Sequence, residues 1–253
     1  MLPEKFDHTR PAVVILHYGA PSRTTRLHKQ LLLSDPDWAP NILVLDNQAP
    51  AAYPKAETWF RSTENLFWAG AFSLCVDFFL QHDVSHLWFF NNDLFFTSKQ
   101  PFLKTALARL QRMEQTLGPV GLYSPAVLTS PYHPQMVARK GVQTSAISIA
   151  DGISPLVALE AVQQVGGIDA ADNCYGYGVD LWLSLRLHRQ GWPLLVDHQV
   201  TVKHIYHSTA RSVEGLLDTA ARHERDYLLR RLGEGYQDII DAAKRETKDF
   251  LKI

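Results

Sequence analysis

LWFFNNDLFF, residues 87–96, carries four apolar residues, then Asn91-Asn92-Asp93, then three more apolar residues. An unsatisfied polar group buried in such a run costs roughly 1–3 kcal/mol, so the triplet must be hydrogen-bonded, paired or ligated. A turn explains the asparagines. It does not explain the apolar flanks, which put the triplet at the end of a buried strand. The same pattern recurs upstream. AVVIL (12–16) runs into His17-Tyr18-Gly19, and NILVLDN (41–47) into Asp46-Asn47. Helical spacing over 24–34, 64–83 and 101–118 supplies the segments between and after these strands, the last stopping at Gly118-Pro119. Strands alternating with helices predict a parallel sheet with helices on both faces. The carboxyl ends of such strands line the ligand crevice, so the three polar clusters converge on one site.

The second half is less regular. A strand is predicted over 120–128, a Pro-punctuated loop at TSPYHPQM, and a short helix within 154–169 closed by Gly166-Gly167. A helix follows over 179–191, then two short strands within 192–207. From Ser212 onward, Val213, Leu216, Leu217, Tyr227, Leu228, Leu232, Ile239 and Ile240 lie among mixed charges. That spacing predicts amphipathic helices packed on the domain or on a second subunit.

The chain has 253 residues, 46% hydrophobic, with a formal net charge of −1. This is enough for one large α/β domain, with or without an appendage. Near-neutrality argues against a nucleic-acid binder held by a general basic field. Cys75 reads as a buried apolar residue, and Cys75 with Cys174 offers neither zinc spacing nor a disulfide framework, which fits a reducing cytoplasm. The N-terminus lacks a signal-peptide pattern, and no segment approaches the roughly 18 apolar residues needed to cross a bilayer. The charge balance of the C-terminal helices makes strong binding to anionic lipid unfavourable, and leaves open a peripheral contact at the inner membrane face or a homodimer.

Three segments together resemble the family 2 glycosyltransferases of GT-A fold, in their rhamnosyltransferase-like branch. VVILHYG with ILVLDN is similar to that family's opening strand and its VDN strand. ENLFWAG followed by HLWFFNNDLFF is similar to its N-L-G-x-A-G and L-L-N-N-D run. VGGIDAADNCYGYGVDLWLSLRLHRQGW, followed by VKHIYHST, resembles its closing V-G-G-F-D, W-G-E-D-x-D-L and His pattern. The resemblance covers about residues 12–208. It implies a GT-A domain over 1–210, with a nucleotide-binding half to about 120 and an acceptor half beyond, and leaves 211–253 as a helical extension.

The same resemblance implies the roles of single residues. Asp93 matches the final acid of the metal-binding motif, holding Mn2+ or Mg2+ against the two phosphates of a nucleotide-sugar donor. Asn91 and Asn92 would ligate the ion or touch ribose or phosphate. His204 matches the histidine that completes the metal or diphosphate site, with His207 as its substitute. Asp180 falls where the catalytic base sits, to take a proton from the acceptor hydroxyl; at the start of a helix it is also well placed by the dipole. Asp46 and Asn47 look like the nucleotide-recognition pair. Tyr18, with His17, would stack on the nucleobase, and Asn65 borders the nucleotide. Arg186 or Lys203 would assist the phosphates. Trp38, Trp59, Trp182, Trp192 and Tyr175 are candidates for a glycan platform as well as for the core.

The implied activity is inverting transfer of a hexosyl or deoxyhexosyl unit to a hydroxyl acceptor on a glycan, a lipid-linked sugar or a small molecule, as in polysaccharide biosynthesis. Val179 and Trp182 stand where the family pattern has two acids. They keep open a binding module without transfer activity. A sugar nucleotidyltransferase is the other alternative, although HYGAPSRTTR has one glycine where that class uses a glycine-rich loop. No G-x-G-x-x-G follows any strand, which argues against a dinucleotide-dependent oxidoreductase.

Overall fold

The computed structural model describes residues 1–206 and 215–252. The first strand, β1 (Ala12–His17), is buried along its whole length. It pairs in parallel with β2 (Ile42–Asp46) on one side and, on the other, with β4 (His86–Asn91). A short β3 (Phe60–Arg61) extends the edge beyond β2. Helix α1 (Pro21–Ser34) links β1 to β2, and α2 (Phe67–Leu80) leads back to β4 on the opposite side of β1. Right-handed crossovers in opposite directions put α1 and α2 on opposite faces of the sheet. The reversal at β1 is the topological switch point, and the Asn91–Asp93 triplet lies at its open end.

Beyond β4 the sheet becomes mixed. A short β5 (Leu94–Phe96), α3 (Phe102–Leu117) and β6 (Leu122–Val127) are followed by β7 (Thr144–Ile147), β8 (Leu156–Ala158), α4 (Leu159–Gln164), α5 (Val179–Arg189) and β9 (Leu194–His204). The strand order is β7-β9-β6-β8-β4-β1-β2-β3, and β5 pairs with β9 off this path. The residues expected to form a single helix within 154–169 divide: Leu156, Val157 and Ala158 bridge β4 and β6 as an antiparallel strand, and only then does the helix begin. The apolar run there satisfies both periods, and neighbouring strand edges decide. The two strands expected within 192–207 form one long strand, whose register against β6 shifts between Pro125 and Ala126.

Helix α3 starts where Asp35, from the far end of α1, accepts the backbone N–H groups of Phe102, Leu103 and Lys104 at 2.9–3.1 Å. A distant carboxylate thus supplies the cap that the local sequence lacks.

The C-terminal segment forms α6 (Leu216–Leu232) and α7 (Tyr236–Arg245), as the apolar spacing from Leu216 onward predicts; Val213 lies outside the described residues. It then adds an unforeseen edge strand, β10 (Thr247–Phe250), antiparallel to β7. Val179, Leu181 and Leu185 of α5 join Tyr227 and Leu228 of α6 and Ile240 and Ala243 of α7 in a second apolar cluster beside the main core. Arg231 fastens α6 further. Its Nε and Nη2 donate to the two carboxylate oxygens of Asp169 at 2.7 Å each, and Nη2 also reaches Asp172 Oδ1 at 2.9 Å. No helix among the described residues is long and apolar enough to cross a membrane.

Candidate active site

A cavity of about 630 Å³ opens at the carboxyl end of β4. Asn91, Asp93, Asp180 and His204 all line it. The two aspartates, far apart in the chain, therefore face one space.

Asp93 and His204 meet through strand register. Leu94 of β5 pairs with His204 of β9, and the N–H of Ile205 donates to the carbonyl of Asp93 at 3.0 Å. This brings His204 Nε2 to 2.9 Å from Asp93 Oδ1, with both side chains nearly buried. The His204 Nδ1 atom is buried with no hydrogen-bond partner among the described residues. A hard carboxylate oxygen and an imidazole nitrogen at this separation suit neighbouring positions around a divalent ion, whose cis ligands at about 2.1 Å lie about 3 Å apart. No third His, Cys, Asp or Glu joins them among the described residues. His207 lies outside the described residues.

Asp180 enters from the first turn of α5. Its Oδ2 accepts the backbone N–H of Gly152 at 2.8 Å and its Oδ1 that of Leu181 at 2.9 Å. Burial pushes its pKa up to about 6, against the lowering effect of those N–H donors. Asp151, the neighbour of Gly152 on the same wall, is pushed up to about 7, by burial first and then by the charge of Asp180. Both carboxyls therefore sit above the ordinary carboxylate range, chiefly because burial disfavours their charged forms.

The donor at Gly152 is held by an indole. A Cβ on Gly152 would lie 2.7 Å from Trp68 Cζ2, and one on Gly176 would lie 2.9 Å from Trp68 Cβ. Trp68 is thus wedged between two chain segments that only glycine admits, one carrying Asp151 and the other Tyr175 and Tyr177. The residue before it, Phe67, has a φ of 52°, a strained value for a bulky side chain. That turn is held by asparagines: Asn65 Oδ1 accepts the Phe67 N–H at 2.9 Å, and Asn47 Nδ2 donates to the Phe67 carbonyl at 3.1 Å.

Other residues singled out in the sequence lie outside the cavity wall. His17 is fully buried, its Nδ1 paired with Thr24 Oγ1 at 2.7 Å and its Nε2 with the Ala51 carbonyl at 2.8 Å. Asp46 accepts the N–H groups of Ala49 and Tyr53 and pairs with Arg61, so it shapes the loop after β2. Asn92 turns inward to donate to Thr24 Oγ1 and to the Tyr18 carbonyl, both at 2.9 Å. Asn47 and Asn65 hold the Phe67 turn, and Tyr18 sits half-buried at the end of β1. Arg186 donates to the carbonyls of Val165 and Gly167 and so braces the turn expected there as a helix cap. Lys203 is exposed on β9.

Four charged wall residues carried no signal in the sequence: Asp151, Asp218 and Glu224 of α6, and Lys244 of α7. Burial, reinforced by the charge of Asp180, pushes Glu224 up to about 7. The two departures from the family pattern also find a cause. Val179 is buried in the cluster that seats α6, and Trp182 donates its indole N–H to Asp169 Oδ2 at 3.1 Å, within the ion-pair network of Arg231. Both side chains thus help to dock the C-terminal helices.

The fold is of the GT-A type. The chain superposes on GalNAc-T7, solved with UDP, GalNAc and Mn2+, with a TM-score of 0.64 at 14% identity over 95% of this chain and 51% of that one. It superposes on the mannosyltransferase PcManGT from Pyrobaculum calidifontis, solved with GDP-Man and Mn2+, with a TM-score of 0.54 at 13% identity over 94% of this chain and 75% of that one. In sequence it is similar to uncharacterized protein Rv1525 of Mycobacterium tuberculosis and uncharacterized protein Mb1552 of Mycobacterium bovis. It is 28% identical to each over 177 residues, which span 67% of this chain and 66% of theirs. No protein-family model matches the chain.

Proposed function

We propose that the protein is an inverting glycosyltransferase that moves a sugar from a nucleotide-diphosphate donor to a hydroxyl acceptor. The observation that carries this reading is that Asp93, paired with His204, and Asp180 line the same cavity. The two structural neighbours, solved with UDP and GDP-Man respectively and each with Mn2+, support a donor of this kind.

Asp93 and His204 would hold the divalent ion, with Asn91 beside them on the wall. Bound there, the ion would neutralise charge on the donor's diphosphate. Asp180 takes the proton of the acceptor hydroxyl as that oxygen forms its bond to the anomeric carbon. The bond from that carbon to the diphosphate oxygen breaks on the opposite face, and the nucleoside diphosphate leaves with the electron pair. The Gly152 and Leu181 N–H groups aim the Asp180 carboxylate and keep it from rotating away. The packing role of Val179 and Trp182 favours this reading over a binding module, because their departure from the pattern follows from helix docking and leaves Asp180 in the cavity.

The test is Asp180→Asn with a panel of nucleotide sugars and Mn2+. Transfer and donor hydrolysis should fall by about two to four orders of magnitude while nucleotide affinity stays within a few-fold of the parent. Near-normal turnover in this variant removes Asp180 from the role.

A further inference from the structure

We propose that Glu224 selects the second substrate: the outer wall of the cavity takes an uncharged, hydroxyl-bearing sugar ring and turns anionic sugars away. The inference rests on the transfer reading above and adds the class of acceptor.

Glu224 stands directly over the start of α5. A Cβ on Gly178, two residues before Asp180, would lie 3.2 Å from Glu224 Cγ. The carboxylate therefore shares the wall from which the acceptor hydroxyl is deprotonated. It makes no hydrogen bond to another described residue, so its acceptor capacity faces the cavity, where a sugar hydroxyl can donate to it. Nor is it a loose surface acid. The Arg231 clamp on Asp169 and Asp172, together with the bond from the Tyr227 hydroxyl to the Asp169 carbonyl at 2.7 Å, fixes α6 against the loop that leads into α5.

Beside Glu224, the loop that leads into α5 presents Tyr175 and Tyr177 to the same cavity. The Tyr175 ring lies 4.8 Å from Phe67 and 4.9 Å from His223, the neighbour of Glu224, so it is braced on both sides. Braced aromatic rings beside carboxylates match the two surfaces of a pyranose, whose C–H face is apolar and whose rim is hydroxylated.

The charges facing this space decide the rest. Asp93, Asp151 and Asp180 line it with Asp218 and Glu224 of α6, against Lys244 of α7. At pH 8, above the raised values of Asp151 and Glu224, these acids against one lysine leave a negative wall, which repels a carboxylate or phosphate on the incoming sugar.

The experiment uses the full chain with Mn2+ and the nucleotide that gives the largest thermal shift. Dissociation constants for p-nitrophenyl β-D-glucoside and p-nitrophenyl β-D-glucuronide are measured at pH 8 by isothermal titration calorimetry. The parent should prefer the glucoside by about tenfold or more. Glu224→Gln should bring the two affinities within about threefold, and Lys244→Met should widen the gap. The second variant moves the ratio in the opposite direction, so a fold defect in either one cannot imitate the result. Equal or tighter binding of the glucuronide by the parent, an unchanged ratio in both variants, or no binding of either sugar overturns the proposal. Failure of every nucleotide to bind would instead overturn the transfer reading.

Discussion

The Gly152 N–H donates to Asp180 Oδ2 at 2.8 Å, and the Trp68 indole packs against the same glycine so closely that a Cβ there would come within 2.7 Å of it. The orientation of the carboxylate and the packing of the indole are therefore a single structural problem. Gly152→Ala should lower stability by about 1–3 kcal/mol and reduce kcat more than donor affinity. Combining it with Trp68→Phe should recover part of both losses, because the smaller ring makes room. Melting curves and steady-state kinetics of the double-mutant cycle check this, and strictly additive losses would count against the coupling.

Asp93→Ala and His204→Ala should each abolish the tightening of nucleotide binding by Mn2+. In the parent, that tightening should be roughly tenfold or more. Calorimetric titration with and without the ion measures it. Persistence of the full Mn2+ effect in either variant removes that residue from the metal site.

Activity should rise with pH on an acid limb centred near the raised value of Asp180, about 6, because the base must be ionised before it can accept a proton. A limb centred near 4, the ordinary carboxylate range, would show that the base is not buried in the working enzyme. The pH profile of kcat/KM measures this directly.

Stability should run the opposite way. Burial raises Asp151 and Glu224 from the ordinary carboxylate range to about 7, so between about pH 4 and 7 the folded protein binds more protons than the unfolded chain. Stability therefore falls as pH rises through this window. Asp151→Asn with Glu224→Gln should flatten the dependence, with each kcal/mol appearing as about 2–4 °C in Tm. Scanning calorimetry from pH 5 to 8 compares the two proteins.

Arg231→Ala should cost roughly 1–3 kcal/mol, between an exposed and a buried ion pair, since the guanidinium side chain is 14% exposed and its partners 33% and 40%. It should also increase hydrogen exchange in α6, the helix that presents Glu224. Protection unchanged along Leu216–Leu232 would mean that the apolar seat alone holds the helix.

Much of this molecule was open to reading along the chain. The parallel half and the strand-end position of Asn91-Asn92-Asp93 follow from apolar runs and periodicity, which are local properties of the sequence. The placement of Asp180 on the first turn of a helix was legible for the same reason, as were the two C-terminal helices. Their final strand, β10, was not: TKDF has no apolar alternation, and it is a strand only because β7 offers an open edge.

The sequence by itself determined which residues end buried strands and begin helices, because those depend on neighbours a few positions away. Tertiary structure alone decided which polar side chains share a cavity. His17, Asp46 and Asn92 turn inward to satisfy the switch-point loops, whereas Asp93 meets His204 through the β5–β9 register and Glu224 arrives on a helix docked from the end of the chain. The physical reason is range. Strand and helix formation is governed by a few adjacent residues, but strand register, helix docking and the burial that raises a carboxylate's pKa exist only after distant segments pack.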